Sequence, residues 1–130
     1  MNIRVVHFSF FSAIILILSC SGYKGGIDNP VNASVLGDEY FADQAKGDKK
    51  YKGKYLTVEG ELSESYINKF QENILILIDK DKKQGVKCTL IKAKKPLEKP
   101  FKLGDTIKLN GRCAGFNEYV LLTGCIILKE

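Results

Sequence analysis

At 130 residues, 45% of them hydrophobic and 27% charged, the chain suits one compact domain and is too short for two of ordinary size. Lys and Arg outnumber Asp and Glu by 20 to 15, a net charge of +5; setting aside Arg4, in a segment expected to be removed, leaves 19 against 15, or +4. The single histidine, His7, lies in that same segment and tryptophan is absent. The mature domain therefore has no imidazole to serve as base, nucleophile partner or metal ligand, which excludes the commonest hydrolase and zinc-site designs.

Arg4 is followed by a nearly charge-free stretch from Val5 to Leu18, VVHFSFFSAIILIL. About 14 residues fall short of the roughly 20 needed to span a bilayer as a helix, so the stretch reads as the apolar core of a signal peptide. Ile17-Leu18-Ser19-Cys20 follows, and this tetrad resembles the lipobox of bacterial lipoproteins. The resemblance implies cleavage before Cys20, a diacylglycerol thioether on its sulfur and usually acylation of the new amine. The competing reading is an ordinary secretory signal or an uncleaved anchor with Cys20 a bystander, and no A-x-A cleavage site lies nearby. At about 0.8 kcal/mol per buried CH₂, two or three acyl chains hold a protein on a membrane almost permanently. Ser21 to Asn32, SGYKGGIDNPVN, reads as a flexible tether. The expected organisation is a lipoprotein signal peptide at 1–19, lipidated Cys20 and tether at 20–32, and a folded domain at 33–130. The address is a bacterial cell membrane or outer membrane, facing the periplasm.

Leu36, Tyr40, Ala45 and Tyr51 recur at near-helical spacing, with Ser34 placed to cap the start, Asp38 and Glu39 early, and Lys46, Lys49 and Lys50 late. One helix over about 34–50 is expected, although Gly37 and Gly47 weaken it. From Lys54 the period becomes two. Leu56, Val58 and Leu62 face one way and Thr57, Glu59 and Glu61 the other. Asn73 to Ile78 is a continuous apolar run, and the polar, Gly-ended stretch from Asp79 to Gly85 joins it as a hairpin to Val86, Cys88 and Leu90. Ala93 to Leu103, with two Pro and four Lys, is a connector with room for a short helical turn. A fourth strand opens after Gly104-Asp105 with Ile107, Leu109, Gly111 and Cys113 on one face, and Gly115-Phe116-Asn117-Glu118 is expected to turn the chain into a fifth, Tyr119 to Leu128. Five strands over about 54–129, with the longest connector between the third and fourth, form the layout of an all-β, five-stranded Greek-key barrel of the OB type preceded by one α-helix. A β-sandwich or open meander is the alternative.

Asp48-Lys49-Lys50-Tyr51-Lys52-Gly53-Lys54-Tyr55-Leu56-Thr57-Val58-Glu59-Gly60 resembles the helix-to-strand passage of the tRNA_anti-like family of bacterial OB-fold lipoproteins. Gly85-Val86-Lys87-Cys88, the segment from Leu103 to Phe116 and Leu121-Leu122-Thr123-Gly124-Cys125-Ile126-Ile127 are similar to its later landmarks, in the same order. The resemblance implies an OB fold and no particular reaction.

Cys88, Cys113 and Cys125 make an odd number of thiols for an oxidising compartment, so at most one internal disulfide is expected, its pairing open. A tight turn at 115–118 would put Cys113 opposite residue 119 or 120, some six residues from Cys125, so a bridge between those two would require a bulge or a long loop, and bridges from Cys88 stay open. The alternative is three small residues buried in a barrel wall. Spacings of 25 and 12 without C-x-x-C or His do not make a metal site. Asp79-Lys80-Asp81 lacks the later ligands of a calcium loop and reads as a turn. No cofactor is called for.

Lys clusters at 46–54, 80–87 and 92–102 suit either a solvated face or contacts with phosphates. The candidate ligand-binding residues are Tyr66, Lys69 and Phe70 in the first inter-strand loop, Phe116 and Tyr119 near the last turn, and Lys87 and Arg112 between them, because those loops are where OB folds bind. Against nucleic acid stand Glu59, Glu61, Glu64 and Glu72, the modest charge and a single mature Arg. Ser63, Ser65 and Lys69, or Glu59 with Glu61, belong to no catalytic motif, so no enzyme is expected. The expected function is a membrane-anchored binding module for an unidentified envelope protein or glycan, with single-stranded nucleic acid or another polyanion as the alternative.

Overall fold

The computed structural model describes residues 29–92 and 101–128. The expected signal peptide, Cys20 and most of the expected tether lie outside the described residues, as does the connector at 93–100. The elements in order are β1 (Val31–Asn32), α1 (Ala33–Ala42), α2 (Gln44–Tyr51), β2 (Tyr55–Ile67), β3 (Asn73–Leu77), β4 (Val86–Leu90), β5 (Thr106–Asn117) and β6 (Tyr119–Ile127). The sheet order is β1-β2-β3-β4-β6-β5, and β2 also pairs with β5, closing five strands into a barrel. The strands β2, β3 and β4 form a meander; β6 then inserts parallel to β4 and antiparallel to β5. This is the expected Greek-key OB barrel, and neither the sandwich nor the open meander forms.

The inward sets expected from alternation line the core. Leu56, Val58 and Leu62 meet Leu75, Leu77, Val86, Cys88, Leu90, Ile107, Leu109, Cys113, Val120, Leu122 and Cys125. A barrel this small has two ends to close. Leu36 and Tyr40 of α1 enter one of them and are fully buried, so the helices act as a plug, where apolar residues gain most from burial.

Three sequence expectations are corrected. Val31 and Asn32 are not tether; they pair parallel with Val58 and Glu59. Asn32, not Ser34, caps α1, its side-chain oxygen accepting from the Ser34 and Val35 amides at 2.9 and 3.0 Å. The single helix is two. Asp43 is extended (φ −158°), its N–H closing α1 on the Glu39 carbonyl while its carboxylate accepts from the Lys46 amide and caps α2. An aspartate satisfies the free amides of a new helix better than it continues an old one. The break lays α2 across β5 and brings Tyr51 back to Glu39, to whose carboxylate its hydroxyl donates at 2.6 Å.

The two helix glycines mark close contacts. A Cβ on Gly37 would sit 2.6 Å from the Gly85 nitrogen, and one on Gly47 would sit 2.6 Å from the Tyr40 ring. Their weak helix propensity is offset by packing that a larger residue would obstruct.

Asp79 fastens the plug to the barrel. One carboxylate oxygen accepts from the Glu61 amide at 3.0 Å and the other from the Asn32 side chain at 2.7 Å, while the Asp79 amide donates to Ser34 Oγ at 3.0 Å. The Asp79-Lys80-Asp81 stretch expected to be a turn is thus a turn with both oxygens of its first aspartate engaged. Asp79→Ala removes two charge-assisted bonds and is expected to lower stability by about 2–4 kcal/mol. Urea unfolding followed by circular dichroism checks this, and an unchanged midpoint would refute the fastening.

Candidate ligand-binding surface

The β2 strand begins at the plugged end and finishes at the open one. Because β5 runs antiparallel to it, with Tyr55 opposite Arg112, the β5–β6 turn lies beside the start of β2. The β2–β3 loop lies at its finish. The candidate aromatics therefore divide: Tyr66 and Phe70 sit at the open end, Phe116 and Tyr119 at the plugged end.

At the open end, β2 runs five residues beyond the expected strand, to Ile67. The hairpin that follows is held by Asn68, whose side-chain oxygen accepts from the Phe70 and Glu72 amides, each at 2.9 Å, and whose side-chain nitrogen donates to Glu72 Oε1 at 3.1 Å. Backbone bonds from Asn68 to Glu72 and from Gln71 to Asn68 complete the turn, with Gln71 at φ +65°. This rigid tip displays Ile67 and Phe70, 63% and 64% exposed. The Lys69 ammonium lies 5.2 Å from the Phe70 ring centroid.

Below the tip, register defines the barrel's outer face. Tyr66 pairs with Ile74 and Ile74 with Thr89; one row on, Glu64, Ile76, Lys87 and Leu121 follow across β2, β3, β4 and β6. Ile74 and Ile76 alternate with the core residues Leu75 and Leu77 yet are themselves 2% and 4% exposed. The middle of this face is thus apolar and closed to solvent, with Tyr66 and Glu64 on one side of it and Lys87 on the other. Tyr66, Lys69, Phe70 and Lys87 are brought onto one surface.

The remaining candidates are placed elsewhere. Phe116 stacks on Tyr40 at 5.6 Å and 7° and packs against the core. Its outer edge, with Tyr119, lines a shallow depression shared with Phe41, Lys83, Gln84 and Glu118. Arg112 is on the opposite wall, where its Nε donates to the Gly53 carbonyl at 3.4 Å. Gly115 is not in a turn: β5 continues to Asn117, Asn117 pairs directly with Tyr119, and Glu118 alone turns at φ +71°. With the turn at Glu118 and one register shift between Cys113 and Gly115, Cys113 lies opposite Leu122 instead of residue 119 or 120.

Sequence reasoning missed Asn68, Ile67 and the outward isoleucines. The signal for the last was present, because a strand apolar at every position from Ile74 to Leu77 leaves no polar side for water.

Electrostatics inside the plug are set mainly by burial. Desolvation first, then the Cys113 thiol 3.4 Å away and the Asp48 charge, push the Tyr40 hydroxyl far above its usual value. Burial likewise raises Tyr51, followed by its bond to Glu39. Among the described residues no group of three His, Cys, Asp or Glu side chains is placed to hold a metal ion.

Strand order, barrel closure and the helical plug define an OB-type barrel. The chain belongs to the tRNA_anti-like family, whose model matches residues 16–126. A crystal structure from Klebsiella pneumoniae subsp. pneumoniae, of a protein provisionally described as a nucleic acid-binding lipoprotein, is similar in fold. Its TM-score is 0.55 at 16% identity, over 82% of this chain and 100% of that one. No curated protein matches the chain.

Two tests follow from this division. Phe116→Ala, which removes the Tyr40 stacking partner, is expected to cost about 2–4 kcal/mol, whereas Phe70→Ala at the exposed tip should change stability by less than about 0.5 kcal/mol; equal effects in urea titrations would contradict the assignment. The second concerns pH. Since the folded Tyr40 holds its proton above the unfolded value of 10.0, its contribution is complete below pH 10 and is lost as pH rises further. The slope is at most about 1.4 kcal/mol per pH unit. Unfolding of Tyr40→Phe between pH 9 and 11 should show a shallower decline than wild type.

Proposed function

We propose that the protein is a non-catalytic, lipid-anchored binding module of the bacterial cell envelope that takes its ligand at the open end of the barrel. The observation that carries this reading is the Asn68-locked hairpin. It fixes the backbone that carries Phe70, Ile67 and Tyr66 before any ligand arrives, so no backbone ordering is spent on binding there. Exposed aromatic and aliphatic side chains on a turn suit a glycan ring or an extended protein segment. Glu64 and Glu72 lie on the same hairpin, which disfavours a polyanion. The lipobox-like Ile17-Leu18-Ser19-Cys20 and the description of the Klebsiella neighbour as a lipoprotein support the anchored address.

The second reading is single-stranded nucleic acid, supported by the neighbour's description and by the pairing of Tyr66 and Phe70 with Lys69 and Lys87. Titration with an oligothymidylate distinguishes the two. Phosphate neutralisation by several lysines predicts affinity that falls steeply between about 50 and 200 mM salt and weakens in Phe70→Ala. The envelope reading predicts no binding even at low salt, together with capture of an envelope component that Tyr66→Ala/Phe70→Ala loses without a change in melting. The anchor is tested separately: Cys20→Ala is expected to lose both the acyl mass and membrane retention, and a soluble, unacylated wild-type protein would overturn it.

A further inference from the structure

The three described cysteines are all buried free thiols in the barrel wall, but their surroundings differ. Cys113 faces the plug, 3.4 Å from the Tyr40 hydroxyl. Cys88 and Cys125 instead lie on the adjacent parallel strands β4 and β6, both pointing inward. Cys88 is opposite Leu122 and Leu90 opposite Cys125, with a register shift between the two pairs, so the cysteines are diagonal neighbours. The β6 residue before Cys125, Gly124, is at φ +59°, and this local irregularity gives the strand freedom that a regular ladder would lack. On the side of the neighbouring strand β5, the Cys125 sulfur fills the space left by a missing side chain: a Cβ on Gly111 would be 2.5 Å from it.

We propose that Cys88 and Cys125 form a disulfide that fastens β4 to β6, and that Cys113 remains a thiol. Diagonal neighbours in a sheet are about 7–8 Å apart at Cα and less at Cβ, whereas a disulfide accepts Cα separations up to about 6.8 Å. Closure therefore asks for a shift of roughly an ångström, which the bulge at Gly124 is placed to supply. Burial, followed by the neighbouring Cys125 thiol, raises the Cys88 thiol well above its ordinary value. A folded barrel thus withholds the reactive thiolate, and oxidation belongs to the folding stage, before β6 closes over β4. One cysteine attacks the disulfide of a thiol–disulfide oxidoreductase, or of oxidised glutathione, to give a mixed disulfide. The other then displaces the donor. Two protons and two electrons leave the pair, and the donor departs as two thiols.

The presence of the bond in cells rests on the envelope address proposed above; the pairing itself does not. The full chain, unfolded and then refolded in glutathione disulfide with glutathione, is denatured and alkylated with a mass-tagged maleimide without reductant. Against wild type, Cys113→Ser is expected to lose one label, while Cys88→Ser and Cys125→Ser each gain one. Loss of one label in all three variants would overturn the proposal, as would a gain in Cys113→Ser. Because Cys20 contributes equally to every variant, the differences read the pairing whether or not it is lipidated. The same labelling on rapidly acid-quenched cells reads the compartment. The pair formed in glutathione but reduced in cells would keep the disulfide and refute the envelope address.

Discussion

Closure of one barrel end by α1 is the constraint on which the rest of the fold depends. Leu36 and Tyr40 fill that end, and Tyr40 then stacks on Phe116 and lies 6.1 Å from the Tyr51 ring. Without them, the plug-end core residues would face water and lose the burial that stabilises a small barrel. Asp79 converts this packing into a fixed orientation by joining the Asn32 cap, Ser34 and the Glu61 backbone in one set of hydrogen bonds. The plug sets the register of the chain as well as covering the core, since β1 pairs with β2 immediately before the helix begins.

That arrangement uses the aromatics at the two ends differently. Phe116 has one face against Tyr40, so its capacity to stack on a ligand is halved before any ligand is considered. Phe70 has no such partner in the core and stands on a turn whose geometry Asn68 alone largely determines. A binding surface needs positions that are rigid yet not consumed by the fold, and the open end meets both conditions where the plugged end meets the first only.

The strands were legible because a half-buried barrel wall imposes a period of two. Leu56, Val58 and Leu62, or Ile107, Leu109 and Cys113, need nothing beyond alternation to be placed. Interruptions of that period were not legible. The register shifts at 110–112 and 113–115 depend on how the strands coil in three dimensions, and Gly115, a turn-forming residue by composition, was drawn into a bulge instead. The helix break at Asp43 was hidden for a related reason: an exposed aspartate in a helical pattern is unremarkable until α2 is seen to need a cap in order to cross β5. At the site, aromatic residues could be named from their loops, but their division between opposite ends follows from strand direction. The hairpin's rigidity comes from one asparagine that no motif marked.

Strand direction also relates the proposed anchor to the proposed site. The chain enters the fold at Val31, which pairs with Val58 in the plugged half of β2, and Ile67 ends the same strand at the open tip. At about 3.3 Å per residue, the stretch from Val58 to Ile67 spans up to roughly 30 Å. On the lipoprotein reading the membrane tether therefore joins near the plug, and the Asn68 hairpin lies well along the barrel from that junction. Binding at the open end and anchoring at the plugged end then make no competing demands on the same residues.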